Sequence, residues 1–382
     1  MARSALRYHR ITVSSIRVTT PQASYDVIIG TGLLRTLYPR LKKLNSGKPP
    51  RAFVVTSPAI WALWHERFLA SFPQDQQPAV LFLPAGERFK RFAQVESLAE
   101  QLVAAGCDRD SILLAFGGGI IGDLTGFLAA IFMRGIRYVG IPTTILAMVD
   151  SSLGGKTGVN LTAGKNLIGS FHHPLAVFSD IDTLGTLPAA ELRSGLQEAI
   201  KSGIIYDAKL FRYLEQNVEP VLATTPAALS RVITASVRVK ADVVSQDEKE
   251  SGLRMILNFG HTIGHAIEAA TNYRQLLHGE AVAWGSIAAL HLSLSRGRIW
   301  QKEFDRMTAL ILRYGPIPPF KADPAKLVAL TSGDKKKRSG RRAFVLATSI
   351  GTTEIVYDVT DAELLAATNA MMADMRQKKI AG

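Results

Sequence analysis

Phe116-Gly117-Gly118-Gly119-Ile120-Ile121-Gly122-Asp123 decides the fold. The apolar run just before it, 111–116, reads as a buried strand. A helical pattern opens just after it. Glycines at such a strand-to-helix turn let the backbone approach a pyrophosphate, whose charge sits at the helix N-terminus. The order departs from the usual G-x-G-x-x-G fingerprint, so the general dinucleotide motif is met only loosely. A tight turn alone does not need three consecutive glycines, so phosphate binding is expected.

Working outward, residues 24–29, 52–56, 79–83, 138–141 and 176–180 also read as strands, with helical spacing at 59–70 and 92–105. Strands alternating with helices imply a mostly parallel sheet covered on both faces. From about 187 the pattern changes to helices at 189–205, 226–245, 252–271, 279–295 and 303–313. Only 343–347 and 354–356 look strand-like there. The expected architecture is an α/β nucleotide-binding domain over 1–186 and a helical domain over 187–382. A cleft between them is the default place for a site.

The chain has 382 residues, 47% hydrophobic and 20% charged, which excludes disorder over most of its length. A membrane span is not expected, because an apolar stretch such as 127–133 ends at Arg134, short of the ~18 residues required. The single cysteine, Cys107, excludes an intramolecular disulfide framework and a cysteine-based zinc site, and fits a cytoplasmic compartment. The start, 1–10, is basic without an apolar core, unlike a secretory signal. A formal charge of +13 suits an anionic partner: nucleic acid, a phosphorylated metabolite or a dinucleotide.

Further motifs refine this. Pro142-Thr143-Thr144 offers hydroxyls at a strand end, or an ordinary turn. Gly86-Glu87 with Lys90 could hold a ribose, or start a solvated helix. Gly155-Lys156-Thr157 resembles the tail of a Walker A loop, but Asp150 stands where its opening glycine belongs, so an NTPase is rejected. With Gly164-Lys165-Asn166 it still suggests anion binding. His261 and His265 are spaced to share a helix face, and His278 follows thirteen residues later. Such a cluster points to a metal or catalytic centre whose remaining ligand is a carboxylate. Glu198 is a candidate, although with Lys201 it could be a surface ion pair. Lys240, Asp247, Glu248, Lys249, Glu250 and Arg254 read by themselves as a solvated helix face, and 333–338 as a basic loop.

With these motifs in order, the sequence resembles the 3-dehydroquinate synthase family of sugar phosphate cyclases over about 27–351. The resemblance rests on the glycine turn through Leu124, Phe132-Met133-Arg134-Gly135, Pro142-Thr143-Thr144, Asp150-Ser151-Ser152 and Gly154 to Asn160. It continues through Gly164 to Gly169, Glu198-Ala199-Ile200-Lys201, Asn258-Phe259-Gly260-His261 with His265, and Leu277-His278-Gly279-Glu280. It implies NAD and a divalent metal, zinc first and cobalt as the alternative. The implied reaction turns 3-deoxy-D-arabino-heptulosonate 7-phosphate into 3-dehydroquinate and phosphate, in the shikimate pathway. A hydroxyl is oxidised, phosphate is eliminated, the hydride is returned, and the opened ring closes by an aldol step.

By the same resemblance Glu198, His261 and His278 hold the metal, and His265 moves the hydroxyl proton. Lys156, Asn166, Arg134 and Lys335 or Lys336 clamp phosphate or orient nearby groups. Lys201, Lys240, Arg254 and Asn258 bind carboxylate and hydroxyls, with Asp150 and Glu250 orienting them. NAD is assigned to Glu87, Lys90, Gly118, Gly119, Ile120, Asp123, Thr143, Thr144, Asp150, Lys156, Lys165, Thr183 and Thr186. A homodimer is expected, with a phosphorylated sugar acid as substrate and neither nucleic acid nor membrane as partner.

Two features depart from the family pattern. Ser57 and Ala59 replace an acid or amide expected near the adenine ribose, and Trp284 stands where an aliphatic residue is expected. The competing readings are a cyclase acting on a sugar phosphate without a carboxylate, a glycerol-dehydrogenase-like enzyme, and a basic nucleic-acid-binding protein. Retention of Lys240, Arg254, Asn258 and His265 favours the synthase.

Overall fold

The computed structural model describes residues 13–331 and 342–381. Lys335 and Lys336 therefore lie outside the described residues, as does the basic start at 1–10. The chain forms two compact units. One comprises Met1–Arg17, Tyr25–Thr143 and Gly155–Thr186; the other comprises Val18–Ser24, Thr144–Gly154 and Leu187–Gly382. The main division falls between 186 and 187, but two short segments assigned by sequence to the first domain pack with the second.

The strands are β1 (Ser14–Thr19), β2 (Ser24–Gly30), β3 (Ala52–Thr56), β4 (Ala79–Phe82), β5 (Ile112–Gly117), β6 (Arg137–Pro142), the hairpin β7 (Lys156–Leu161) and β8 (Gly164–Phe171), and β9 (Ala176–Asp180). Seven of these form a sheet in the order β1-β2-β9-β6-β5-β3-β4, parallel from β2 to β4. Helices α1 (Leu37–Leu44), α2 (Pro58–Leu69), α3 (Phe92–Ala104) and α4 (Gly119–Ile131) accompany it.

Successive side chains of a strand point to opposite faces. On β5, Leu113 and Ala115 pack with Leu98 of α3 and Leu124 of α4. Ile112, Leu114 and Phe116 pack with Leu41 of α1 and Phe68 of α2. Both faces are thus covered, which is why these strands read as continuous apolar runs.

From β3 the chain adds β4 on one side and β5 on the other, so the strand order reverses there. In open α/β sheets, ligands bind outside the carboxyl ends at such a switch point. Ser57 and the Gly117–Gly119 turn follow those two ends. Ser57 caps α2, its hydroxyl accepting from the Ile60 amide at 3.4 Å, so the departure at this position serves the helix start.

The second unit contains α5 (Ala189–Ile205), α6 (Ala208–Gln216), α7 (Val218–Leu222), α8 (Pro226–Gln246), α9 (His261–Ala270), α10 (His278–Ser295), α11 (Gln301–Arg313) and α12 (Pro324–Thr331). The hairpin β10 (Phe344–Ser349) and β11 (Thr352–Val356) and the helix α13 (Asp361–Ala381) follow. Every residue of α5 from Ser194 to Ile205 is buried, so this helix is the centre of the unit.

The helix expected over 252–271 is broken. Leu253–Asn258 forms a 3₁₀ turn, and α9 starts only at His261. The break is Gly260, which adopts a left-handed φ of 76°. A Cβ there would also lie 2.3 Å from Ser286 Oγ of α10. Trp284 is buried in α10, and its indole N–H donates to the Pro318 carbonyl at 3.0 Å. The aromatic ring is thereby satisfied where an aliphatic side chain was expected.

Candidate functional site

The metal candidates meet because three helices of the second unit approach closely. A Cβ on Gly285 of α10 would lie 2.0 Å from the Gly260 carbonyl at the start of α9. A Cβ on Gly279 would lie 1.8 Å from the Ser194 carbonyl of α5. The Gly279 amide also donates to Ser194 Oγ at 3.0 Å. These contacts set His261 and His278 beside Glu198, one helical turn further along α5.

Glu198 is 1% exposed. The Nε2 atoms of His261 and His278 each lie 3.6 Å from its Oε1. That is beyond a hydrogen bond, yet both nitrogens converge on one carboxylate oxygen. One carboxylate and two imidazoles whose donor atoms fall within 4.8 Å of one another fit a divalent cation. The Lys201 ammonium closes on the Glu198 carboxylate and donates to the Leu257 carbonyl at 2.7 Å. The pair is buried, so the surface ion-pair alternative is excluded.

Burial alone would raise the Glu198 pKa, but Lys201 and His278 outweigh it and pull it down to about 2. Burial would lower that of His278, but Glu198 and Glu268 push it up to about 10. Among the described residues, then, a buried anion is balanced by neighbouring cationic groups. The His265 ring stands 5.3 Å from that of His261, on the same face of α9, and 6.1 Å from that of His278 on α10.

A polar cluster adjoins this centre in the second unit. Lys240 of α8 donates to Asp150 Oδ1 at 2.6 Å and to the Asp150 carbonyl at 2.7 Å. Burial opposes ionisation of Asp150, but Lys240 and Lys201 outweigh it and hold the carboxyl below its usual range. Burial and the Arg254 charge depress Lys240, against the pull of Asp150. The Arg254 guanidinium is buried, donating to the Glu248 carbonyl and, at 3.1 Å, to the Gly154 carbonyl. Asn258 donates to Glu250 Oε1 at 2.6 Å. The solvated-face reading of this charge cluster is therefore corrected: Lys240, Asp247, Glu248 and Arg254 are all buried. They fall on α8, the loop after it and the 3₁₀ turn, and they meet because that turn folds back on α8.

In the first unit, Gly118 caps α4 and Gly119 opens it, as expected of the glycine turn. A Cβ on Gly122 would meet nothing within 4 Å, so the helix keeps open space on that side. Thr143 follows β6 and its amide donates to the Gly117 carbonyl at 3.0 Å, setting it beside the turn. Lys90 is buried, paired with the Asp123 carboxylate, and donates to Asn166 Oδ1 at 2.6 Å. Asn160, given no role from sequence, links these groups. Its Nδ2 donates to Glu87 Oε1 at 2.7 Å, its Oδ1 accepts from the Asn166 amide at 2.9 Å, and its own amide donates to the Lys90 carbonyl at 2.8 Å. Lys165 lies 3.9 Å from Glu87.

Other expected residues are placed differently. Lys156 opens strand β7 rather than a helix, which accords with rejecting a Walker A loop. Thr144 packs with the second unit and caps a turn, accepting from the Ala147 amide at 3.2 Å. Thr183 donates to the Asp180 carbonyl at 2.7 Å, and Thr186 accepts from the Trp64 indole at 3.1 Å, so both hydroxyls serve the turn after β9. Arg134 is exposed beyond the C-terminal end of α4. The glycine turn lies at the opposite end of that helix, thirteen residues or roughly 18 Å away.

Family models match two adjoining stretches of the chain that meet inside α5. Residues 80–194 match the family model for the 3-dehydroquinate synthase N-terminal region, and 195–337 match that for the C-terminal region. The chain is 47% identical over 365 residues to the 3-dehydroquinate synthase of Solibacter usitatus (strain Ellin6076), covering 94% of this chain and 99% of that one. It is 45% identical to that of Koribacter versatilis (strain Ellin345), covering 91% and 95%. Among solved structures, 2-epi-5-epi-valiolone synthase from Streptomyces hygroscopicus subsp. jinggangensis 5008, with NAD+ and Zn2+ bound, superposes with a TM-score of 0.84 at 29% identity, covering 93% and 99%. A 2-deoxy-scyllo-inosose synthase shares the fold, with a TM-score of 0.82 at 24% identity, covering 94% and 99%.

Proposed function

The chain belongs to the 3-dehydroquinate synthase family, and from that premise we propose that it converts 3-deoxy-D-arabino-heptulosonate 7-phosphate to 3-dehydroquinate and phosphate. One observation carries the reading beyond family membership. A buried carboxylate faces two imidazoles, with Lys201, Lys240 and Arg254 acting on the same neighbourhood. That donor set suits a divalent cation next to an anionic polyol.

When bound, NAD supplies a hydride acceptor that returns its hydride, and a divalent metal, zinc in this proposal, supplies a Lewis acid for a hydroxyl and its ketone. Glu198, His261 and His278 would hold the metal. Gly118, Gly119, Thr143, Glu87 and the Lys90–Asp123 pair would hold NAD. The open side of α4 at Gly122 supports that assignment, since among the described residues no atom beyond the adjoining helix lies within 4 Å of a Cβ there.

The protein's own groups then have distinct tasks. His265, one turn from His261, would take and return the proton of the oxidised hydroxyl. Lys240, kept charged by Asp150, and Lys201, anchored at Leu257, would bind the carboxylate and hydroxyls. Asn258, oriented by Glu250, would hold a further hydroxyl. Arg254 already serves two carbonyls, so it would contribute charge and its remaining N–H donors. In the first unit, Lys156 and Asn166 are proposed as anion-binding groups. The substrate's departing phosphate can accept the proton lost in elimination, so no further protein base is required. A cytoplasmic homodimer completes the proposal.

The likeness to 2-epi-5-epi-valiolone synthase raises a second reading, a cyclase whose substrate lacks the carboxylate. The Lys240 and Arg254 charges favour the carboxylate-bearing substrate. The test is an assay of purified protein with the heptulosonate phosphate, NAD and zinc. Phosphate and dehydroquinate should form in equal amounts without build-up of reduced cofactor. Reduced cofactor accumulating with product would make the protein a dehydrogenase. Faster turnover of sedoheptulose 7-phosphate would establish the second reading.

A further inference from the structure

We propose that Glu268 is a positioning residue for the metal centre: its carboxylate fixes the His278 ring so that Nε2 faces the ion held with Glu198 and His261. The inference rests on the metal reading above. The His278 imidazole lies between two buried carboxylates. Its Nε2 is 3.6 Å from Glu198 Oε1, and its Nδ1 is 3.5 Å from Glu268 Oε1.

A neutral imidazole offers a lone pair at one nitrogen and carries a proton on the other. The His261 ring shows which is which. Its Nε2 also faces Glu198 Oε1, while its Nδ1 is 3.1 Å from the Phe259 carbonyl, where it can only donate. Both rings therefore turn Nε2 toward Glu198 and Nδ1 toward an oxygen acceptor. For His261 that acceptor is backbone; for His278 it is Glu268. A metal-bound histidine oriented in this way is held in one tautomer and one rotation, and its basicity rises.

Glu268 also lies within ligand distance of His265 and His278 as a second possible metal-binding group. Filled together with the Glu198 centre, that group would require His278 to give both nitrogens to cations and keep no proton. Glu268 sits on α9 two turns beyond His261, so the same helix carries a ligand, the proposed proton carrier and the group that orients the second ligand.

The test is cobalt titration of the metal-free full-length protein, read by its visible spectrum, with thermal melting of the metal-free variants alongside. Glu268→Ala should weaken cobalt binding by roughly 10- to 100-fold, with the spectrum of the saturated protein and the one-to-one stoichiometry unchanged. Glu268→Gln should recover most of the affinity, because its amide oxygen still accepts from Nδ1. Unchanged affinity in Glu268→Ala overturns the proposal. A changed spectrum makes Glu268 a ligand and also overturns it, as does a Glu268→Gln variant no better than Glu268→Ala. Should Glu268→Ala not fold, Glu268→Asp decides, since it withdraws the oxygen by one methylene and must weaken binding several-fold. If the natural chain takes up no cobalt, the metal reading fails and the inference falls with it. Uptake by the natural chain with no effect of the Glu268 variants sinks the inference alone.

Discussion

At the scale of single residues, Glu198 stays an anion inside the protein because cationic partners face it. An unpaired buried carboxylate would be far too costly to ionise. The histidine spacing made His261, His265 and His278 legible in the sequence. Glu198 was visible only as one carboxylate among several until family resemblance singled it out. Glu268 was not legible at all, and Asn160 was read as part of a motif but given no role. Each acts as a partner to groups on other elements, and no local pattern records that. The division of labour predicts distinct losses. His261→Ala and His278→Ala should each lose bound metal, because a three-ligand site has no spare. His265→Ala should retain metal and lose turnover. Elemental analysis of gel-filtered protein, set beside the turnover rate, checks this, and equal metal loss in all three variants would refute the assignment.

Elements explain why those residues meet. The sequence reads 252–271 as one helix because its apolar spacing never lapses. Gly260 breaks it, and the break lets α9 press against α10. Gly285→Ala should force the two helices apart, at a cost of ~1–3 kcal/mol or more for overpacking. Urea denaturation should show the loss, and cobalt affinity should fall with it; a variant as stable as the natural chain would mean the contact is slack. The loop before the 3₁₀ turn depends on Asp247, which accepts from the amides of Ser251, Gly252 and Arg254 at 2.8, 2.7 and 3.0 Å. Burial opposes its ionisation, but these hydrogen bonds hold its pKa at about 2. The folded value lies below the unfolded one of ~3.9. Its contribution to stability is therefore present above ~pH 4 and is lost as pH falls toward 2. Asp247→Asn should flatten that acid limb in denaturation curves taken from pH 5 downward, on the order of one charged group's effect. An unchanged slope would show that other carboxylates set it.

For the whole molecule, the parallel sheet was legible because its buried strands are apolar runs joined by helices of ordinary length. The β7–β8 hairpin was not. Its sixteen residues mix glycine, lysine and asparagine, and its glycine-flanked lysines suggested an anion-binding loop rather than strands. Nor could composition show how the chain interleaves. Thr144–Gly154 comes from the middle of the nucleotide-type half yet packs with the helical unit. It brings Asp150 to Lys240 and the Gly154 carbonyl to Arg254. A fragment beginning at Leu187 would keep both buried cations and lose both partners. Removing one member of a buried ion pair costs about 3–5 kcal/mol, and a domain's whole stability is only ~5–15 kcal/mol. The fragment 187–382 should therefore be aggregated or molten when expressed alone, despite starting at the compositional boundary. Adding residues 144–154 as a separate peptide, or fusing them through a linker, should raise its melting temperature, and Asp150→Ala in the added segment should cancel much of that gain. A fragment 187–382 that unfolds cooperatively without them, at the temperature of the intact chain, would show that the interleaved segment contributes no stability.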